Sequence, residues 1–404
     1  MERACTVRRG GTATVVAVVL VVSLIAVSSS VLPYRQTDEF MARALAIMST
    51  TPLTDGHNDL PNKYRSLVED RVFQDPTINL RVDQSAELDT DIPRIREGKL
   101  GGQFWSVYVS CDMQNKDAVR ATMEQIDVVY KMVDKYPDVF RLALTASDIR
   151  TAFDGGRVGS LIGIEGGHQI DSSLGALRMF YKLGARYMTL THSCNTPWAD
   201  SASVPAEHDG LTDFGREVVA EMNRLGMLVD ISHVSEETMS DVLDMAQSPV
   251  IFSHSNAYTL CQNPRNVPDS ILDRLPQNGG IVMVTAVPKY LTPSAVANVS
   301  DMADHIEYIR DRIGVGHIGI GADLDGITDH VVGLSDVSMY PNLIAELFRR
   351  SFSDDDVKKI LGENIMRVLQ ENEVNAQKFE QRQPLESTIY PQTTTQQKEC
   401  RSTN

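Results

Sequence analysis

Five separated segments of the chain end an apolar run on a histidine or an acid, which are side chains that bind divalent metals. They are Leu53–Asp59, Leu161–Glu165, Met227–His233, Val250–His254 and His317–Asp323. Any one of them is ordinary, because a buried strand often stops at a polar residue. Five of them are hard to explain by packing alone. Together they predict a metal site at the carboxyl ends of the strands of a barrel.

The residue types indicate which metal. His57 and Asp59 are two residues apart, so on extended backbone both side chains point the same way and can reach one cation. Glu165 would be buried at a strand end and needs a partner such as a metal pair or an arginine. His233 and His254 are, taken singly, more often core histidines than ligands. The whole set suits zinc, cobalt or manganese, and a shared carboxylate would make a two-metal site that activates water.

Other residues suit substrate handling. His192 follows the fourth predicted strand and could donate a hydrogen bond to a developing oxyanion, or simply order its loop. Arg265 could hold a carboxylate through two parallel hydrogen bonds, although a lone loop arginine is more often solvated. Asp323 and Asp325 follow the eighth predicted strand, where an acid suits a general base.

Eight strand-like runs alternate with helical segments to position these residues. The strands are Leu53–His57, Gln103–Val109, Ser160–Glu165, Arg186–Thr191, Met227–His233, Val250–His254, Ile281–Thr285 and Ile318–Ala322. The helices include Asp117–Tyr136, Phe214–Leu225, Glu236–Met245, Pro341–Arg350 and Asp354–Leu369. This alternation predicts an α/β fold, a TIM-like (β/α)8 barrel over residues 45–371, followed by a polar tail over 372–404.

Composition and the chain ends indicate a secreted protein. The net charge of −16 over 404 residues argues against a nucleic-acid partner. Three arginines precede an uncharged run with a short apolar centre, which predicts a signal peptide over residues 1–30, or an uncleaved membrane anchor. Five cysteines fit an oxidising compartment, extracellular or at the cell surface, and Asn298 begins a glycosylation sequon. The polar C-terminus carries no GPI signal.

Longer blocks of the chain carry a resemblance. They are DGHNDLP at 55–61, GQFWSVYV at 102–109, IGIEGGHQIDSSLGALR at 162–178, YMTLTHSCNTPWADS at 187–201, SHVS at 232–235, IFSHSNAY at 251–258, RNVPD at 265–269 and GADLDG at 321–326. In these blocks the chain resembles the membrane dipeptidases (renal dipeptidase family) of the metal-dependent amidohydrolase superfamily. The resemblance covers residues 53–369 and implies hydrolysis of dipeptides, including those with a C-terminal D-residue, cystinyl-bis-glycine and leukotriene D4.

The resemblance also implies roles for the residues. His57, Asp59 and Glu165 would hold one Zn²⁺, and Glu165 would share the second with His233 and His254. A hydroxide between the two ions would attack the scissile carbonyl. His192 would stabilise the oxyanion, Arg265 would bind the substrate carboxylate, and Asp323 would transfer protons.

The resemblance extends to three of the cysteines, but the chain departs from the family at one strand end. Cys111 and Cys194 would form a disulfide, and Cys400 would link two subunits into a homodimer. The chain departs from the family at 285–287, where Thr-Ala-Val replaces an Asn-Phe-Tyr-like stretch, and near Pro293, which leaves Cys261 without a partner. The alternatives are a related amidohydrolase acting on N-acyl amino acids or β-lactams, and a catalytically silent surface-binding homologue.

Overall fold

The computed structural model describes residues 38–389, which form a closed barrel of parallel strands. The strands are β1 (Leu53–Asn58), β2 (Leu100–Tyr108), β3 (Phe140–Leu142), β4 (Val158–Glu165), β5 (Ala185–Thr189), β6 (Leu228–Asp230), β7 (Ile251–Phe252), β8 (Ile281–Val284) and β9 (Ile318–Ile320). The pairing of β2 with both β1 and β4 closes a ring of eight strands, and β3 lies beside the first half of β4. The predicted (β/α)8 barrel is therefore confirmed.

Helices surround the barrel. They are α1 (Glu39–Met48), α2 (Leu60–Val68), α3 (Ile92–Glu97), α4 (Ala118–Lys135), α5 (Ala146–Asp154), α6 (Leu174–Lys182), α7 (Asp213–Leu225), α8 (Glu236–Met245), α9 (Asp269–Leu272), α10 (Leu275–Asn278), α11 (Pro288–Leu291), α12 (Val299–Ile313), α13 (Tyr340–Arg349), α14 (Asp354–Lys358) and α15 (Asn364–Phe379). A turn of π-helix joins α14 to α15. Within residues 38–389 no helix is long and apolar enough to cross a membrane.

The barrel interior is filled by large side chains that require small neighbours. Tyr187 on β5 is fully buried and lies across from Gly163 on β4. A Cβ at Gly163 would lie 2.0 Å from Cζ of Tyr187, so any larger residue there would displace the ring. Gly163 therefore lets the Tyr187 hydroxyl reach the end of β1, where the first predicted ligand lies.

The structure differs from the predicted elements at several ends. Strands β6 and β7 are shorter than predicted, because the chain leaves the ladder after Asp230 and Phe252 and turns inward. Helix α15 continues to Phe379, so ordered structure extends into the segment for which a polar tail is predicted. The predicted signal segment, residues 1–30, lies outside the described residues.

Candidate metal centre

The predicted ligands converge on one carboxylate oxygen. Glu165, the last residue of β4, places Oε1 3.4 Å from Nε2 of His57, 3.1 Å from Nε2 of His233 and 3.5 Å from Nε2 of His254. The Nε2 atoms of His233 and His254 are 2.8 Å apart. Nε2 of His192 also lies 3.7 Å from the same oxygen. Four imidazoles therefore surround a single buried carboxylate.

Two further acids, Asp59 and Asp323, lie near Nε2 of His57. Nε2 of His57 is 3.4 Å from Oδ2 of Asp59 and 3.8 Å from Oδ1 of Asp323. The backbone holds these acids together, because Asp59 N–H donates to Leu324 O and Asp323 N–H donates to His57 O. His57 therefore belongs to two groups of ligand atoms, one with Glu165 and His254 and one with Asp59 and Asp323.

The orientation of His57 is set by a hydroxyl that crosses the barrel. Tyr187 Oη donates to the carbonyl of Gly56 at 3.2 Å, so it accepts from Nδ1 of His57 at 2.9 Å. This arrangement places the proton of a neutral His57 on Nδ1 and leaves the Nε2 lone pair for a metal. Nε2 itself is buried and has no hydrogen-bond partner among the described residues.

A relay from Asp230 orients His254 in the same way. The Asp230 carboxylate accepts from the hydroxyls of Thr189 and Ser253, and from the backbone N–H groups of Ser232 and Ser253. Because the Ser253 hydroxyl donates to Asp230 at 2.6 Å, its oxygen accepts from Nδ1 of His254 at 2.8 Å. Nε2 of His254 then carries a lone pair directed at Glu165, as a metal ligand requires.

The charges at this site match a bound cation. Burial lowers the pKa of His233 and of His254 well below the ordinary histidine value, so both imidazoles are neutral. Burial also acts to lower the pKa of His57, but Tyr187, Glu165 and Asp59 outweigh it and raise that pKa well above its usual value. A divalent ion between the acids would replace the proton that they hold on His57. The set of nitrogen and oxygen donors therefore fits divalent metals of the zinc type.

The backbone at two of these positions is strained. His233 has φ of +66° and Asp323 has φ of +69°, in the left-handed region that residues other than glycine seldom adopt. Such conformations cost about 1–3 kcal/mol each and persist where the surrounding structure holds them. Both turns direct a side chain from a strand end into the cleft.

A cleft of about 400 Å³ opens above the ligands. Its lining includes Asp59, Asp323 and Asp329, together with Arg265 and the segment 287–290. Arg265 is 4% exposed, and its Nε and Nη1 atoms have no hydrogen-bond partner in the described part of the chain. Burial lowers its pKa from the ordinary arginine value. The N–H groups of these two unpaired nitrogens are suited to an anionic ligand in the cleft.

Other predicted residues lie around the cleft or away from it. His192 lines the cleft with its ring 5.0 Å from that of Tyr108. Cys111 and Cys194 form the disulfide that the resemblance implies, and Cys261 is a buried free thiol, as expected. Asn298 is exposed at the start of α12, far along the chain from the ligands. Cys400 lies outside the described residues.

Several supporting residues were not identified from the sequence. Asp230 interrupts the apolar run of β6, and an acid in a buried strand signals a nearby hydrogen-bond network. Ser253 directly precedes His254, and this adjacency was a second available signal. Tyr187 offered none, since its partner His57 lies 130 residues away in the chain.

Comparisons with known proteins agree on one family. Residues 41–383 match the family model described as membrane dipeptidase (peptidase family M19). The chain is 43% identical to Dipeptidase 3 of Rattus norvegicus over 355 residues, which are 87% of this chain and 71% of that protein. A metallopeptidase structure from Rhodobacter sphaeroides, liganded with a phosphinate mimic of L-Ala-D-Ala, superposes with a TM-score of 0.73 at 26% identity, covering 80% of this chain and 99% of that one. The family M19 dipeptidase AC gives a TM-score of 0.72 at 26% identity over the same shares.

Proposed function

Because this chain belongs to the membrane dipeptidase family of metallopeptidases, we propose that it hydrolyses dipeptides, including those with a C-terminal D-residue, with two zinc ions bound at Glu165. His57, Asp59 and Glu165 would hold one ion, and Glu165, His233 and His254 would hold the other. The observation that carries this proposal is the convergence of His57, His233 and His254 on the buried Glu165 carboxylate, with Asp59 beside His57. When bound, such ions would polarise the scissile carbonyl and lower the pKa of a water molecule.

Binding of the substrate is assigned to Arg265. The C-terminal carboxylate of a dipeptide would bind to this guanidinium, whose Nε and Nη1 have no partner among the described residues. The carboxylate that Arg265 binds would then belong to the residue that directly follows the cut bond. Peptides longer than two residues would therefore not be substrates. A substrate related to the L-Ala-D-Ala mimic of the bacterial neighbour is compatible with this arrangement.

Two side chains would stabilise the developing negative charge and transfer protons. Burial lowers the pKa of His192, so its imidazole is neutral and can donate an N–H to the oxygen of the carbonyl as negative charge develops. Burial raises the pKa of Asp323 well above the usual carboxyl value, and the nearby charges of Asp59 and Glu165 raise it further. Asp323 is therefore suited to take a proton from the attacking water and pass it to the leaving amine.

The surroundings of the enzyme are a further part of the proposal. We place it in the secretory pathway, as an extracellular or cell-surface homodimer linked through Cys400. The disulfide between Cys111 and Cys194 supports an oxidising compartment. Asn298 is exposed and its Oδ1 accepts from Ser300 N–H, which leaves Nδ2 available for a glycan.

Release of free amino acid from Gly–D-Phe and Gly–L-Phe tests the reaction. We expect cleavage that a chelator abolishes and that added zinc restores. N-acetyl-Phe is the matched control, because it keeps the carboxylate and the amide but lacks the N-terminal amine. Cleavage of N-acetyl-Phe but of neither dipeptide would favour the related amidohydrolase instead. If folded, zinc-loaded protein cleaved none of the three compounds, that result would contradict the proposal.

A further inference from the structure

The part of the cleft formed by Arg265 and residues 287–290 carries two cations around one aromatic ring. Cζ of Arg265 lies 5.4 Å from the ring centroid of Tyr290, and Nζ of Lys289 lies 5.1 Å from the same centroid. All three residues line the cleft. Arg265 is buried deep in this wall, whereas Lys289 is exposed at the mouth.

Neither cation has a salt-bridge partner within residues 38–389, and the charges of Asp323, Glu165 and Asp230 act on Arg265 only at longer range. Within residues 38–389, Lys289 forms no ion pair, and the single hydrogen bond of the Arg265 guanidinium is the 3.4 Å contact from Nη2 to the carbonyl of His254. The acids that line the cleft belong to other segments, since Asp59 follows β1 and Asp329 follows β9. Two positive groups are thus available to one ligand on one side of the cleft.

The wall that carries them is fixed to the segment that carries Arg265. Asn266 Nδ2 donates both to the carbonyl of Tyr290 and to that of Cys261, each at 2.8 Å. The Cys261 thiol contacts the carbonyl of Lys289 at 3.6 Å, and His305 Nε2 bonds the carbonyl of Leu291 at 2.9 Å. The backbone of Lys289 therefore keeps a set position relative to Arg265, which a specificity pocket requires.

We propose that this wall selects dipeptides whose C-terminal residue is Asp or Glu, with Lys289 as the specificity-determining residue. The inference rests on the proposed dipeptidase function. Arg265 takes the α-carboxylate of such a substrate, and Lys289 takes its side-chain carboxylate. The net charge of −16 repels acidic ligands at long range, so a preference for them depends on local cations.

Isosteric substrates test this assignment. We expect the wild-type enzyme to have a kcat/KM for Ala–Glu that is roughly two- to fivefold above that for Ala–Gln, as an exposed ion pair allows. The preference should fall with added salt, because charges at the mouth are screened. In K289Q the ratio of kcat/KM for Ala–Glu to that for Ala–Gln should fall to about one or below. K182Q is the matched control, since Lys182 is an exposed lysine at the end of α6 that does not line the cleft.

The results distinguish a wrong role for Lys289 from a wrong assignment of the dipeptidase function. An unchanged Glu/Gln ratio in K289Q, with both dipeptides still cleaved, would overturn the role of Lys289 and leave the dipeptidase function intact. An equal change in K182Q would also overturn it, because the effect would then come from net charge. Failure to cleave either substrate or Ala–Ala would instead remove the proposed function on which the inference rests.

Discussion

Arg265 poses the clearest conflict between stability and function in this structure. Its guanidinium is buried, and two of its three nitrogens lack partners among the described residues. A buried, unpaired charge destabilises a fold, whereas two charge-assisted hydrogen bonds to a substrate carboxylate stabilise a complex by about 1.5–3 kcal/mol each. Replacing Arg265 with methionine, which has a similar unbranched shape, should therefore move stability and binding in opposite directions.

The magnitudes follow from these contacts. After subtracting the desolvation of the carboxylate, the loss of two bonds should cost about 2–5 kcal/mol of binding, or roughly 30- to 5,000-fold in kcat/KM, mainly through KM. The free energy of unfolding should rise by about 1–4 kcal/mol, with a Tm a few degrees higher. R265K, which keeps the charge but not the fork geometry, should lie between the two in activity.

The assay compares a dipeptide with its C-terminal amide in wild type and R265M. The wild-type enzyme should prefer the free acid strongly, and R265M should lose that preference while its slow cleavage of the amide is unchanged. Equal losses on both substrates would mean that Arg265 acts through the fold and not through the carboxylate. A lower Tm for R265M would refute the view that its charge is unpaired.

Three further predictions concern other parts of the molecule. S253A removes the hydroxyl that orients His254, so zinc affinity, measured by competition with a chelator, should fall about 10- to 100-fold. It also leaves Nδ1 of His254 without its buried partner, so the Tm of the metal-free protein should fall as well. Unchanged zinc affinity would show that the Ser253 hydroxyl does not position His254. Burial lowers the pKa of His168 from 6.5 to about 4. Between these two pH values the unfolded chain binds a proton at His168 that the folded chain does not, so stability falls by on the order of 3 kcal/mol as the pH drops from about 6.5 to 4. H168Q should flatten the dependence of Tm on pH in that window, and an unaltered slope would show that His168 does not cause this loss. We expect a disulfide-linked homodimer on non-reducing gels and a monomer for C400S, and a C400S dimer on such gels would show that another disulfide joins the subunits.

The ligand residues could be predicted because their signal is local. Each lies at the end of an apolar run, and the carboxyl ends of parallel strands meet at one end of a barrel. His57 and Glu165 therefore come together whatever the loops between them do. The backbone turn at His233, with φ of +66°, was not predictable, because it depends on how β6 ends rather than on residue type.

Features set by contacts between distant segments escaped prediction. Strand β3 has three residues, too few for a periodic pattern. The last turns of α15 are polar, yet Asn372 is buried and bonds the carbonyls of Pro249 and Val368 at 2.9 Å, so hydrophobic periodicity gave no sign of them. The cationic wall around Tyr290 likewise depends on how Asn266 ties two loops together.

We propose that one carboxylate, Glu165, holds two metal ions that the hydrolysis needs. Chelated protein should be titrated with zinc while bound metal and amino acid released from Gly–D-Phe are measured in the same samples. We expect two zinc ions per wild-type chain, activity that appears as both sites fill, and an E165Q variant that binds zinc weakly at both. Full activity with no bound metal, or an E165Q variant that retains two tightly bound ions, would contradict it.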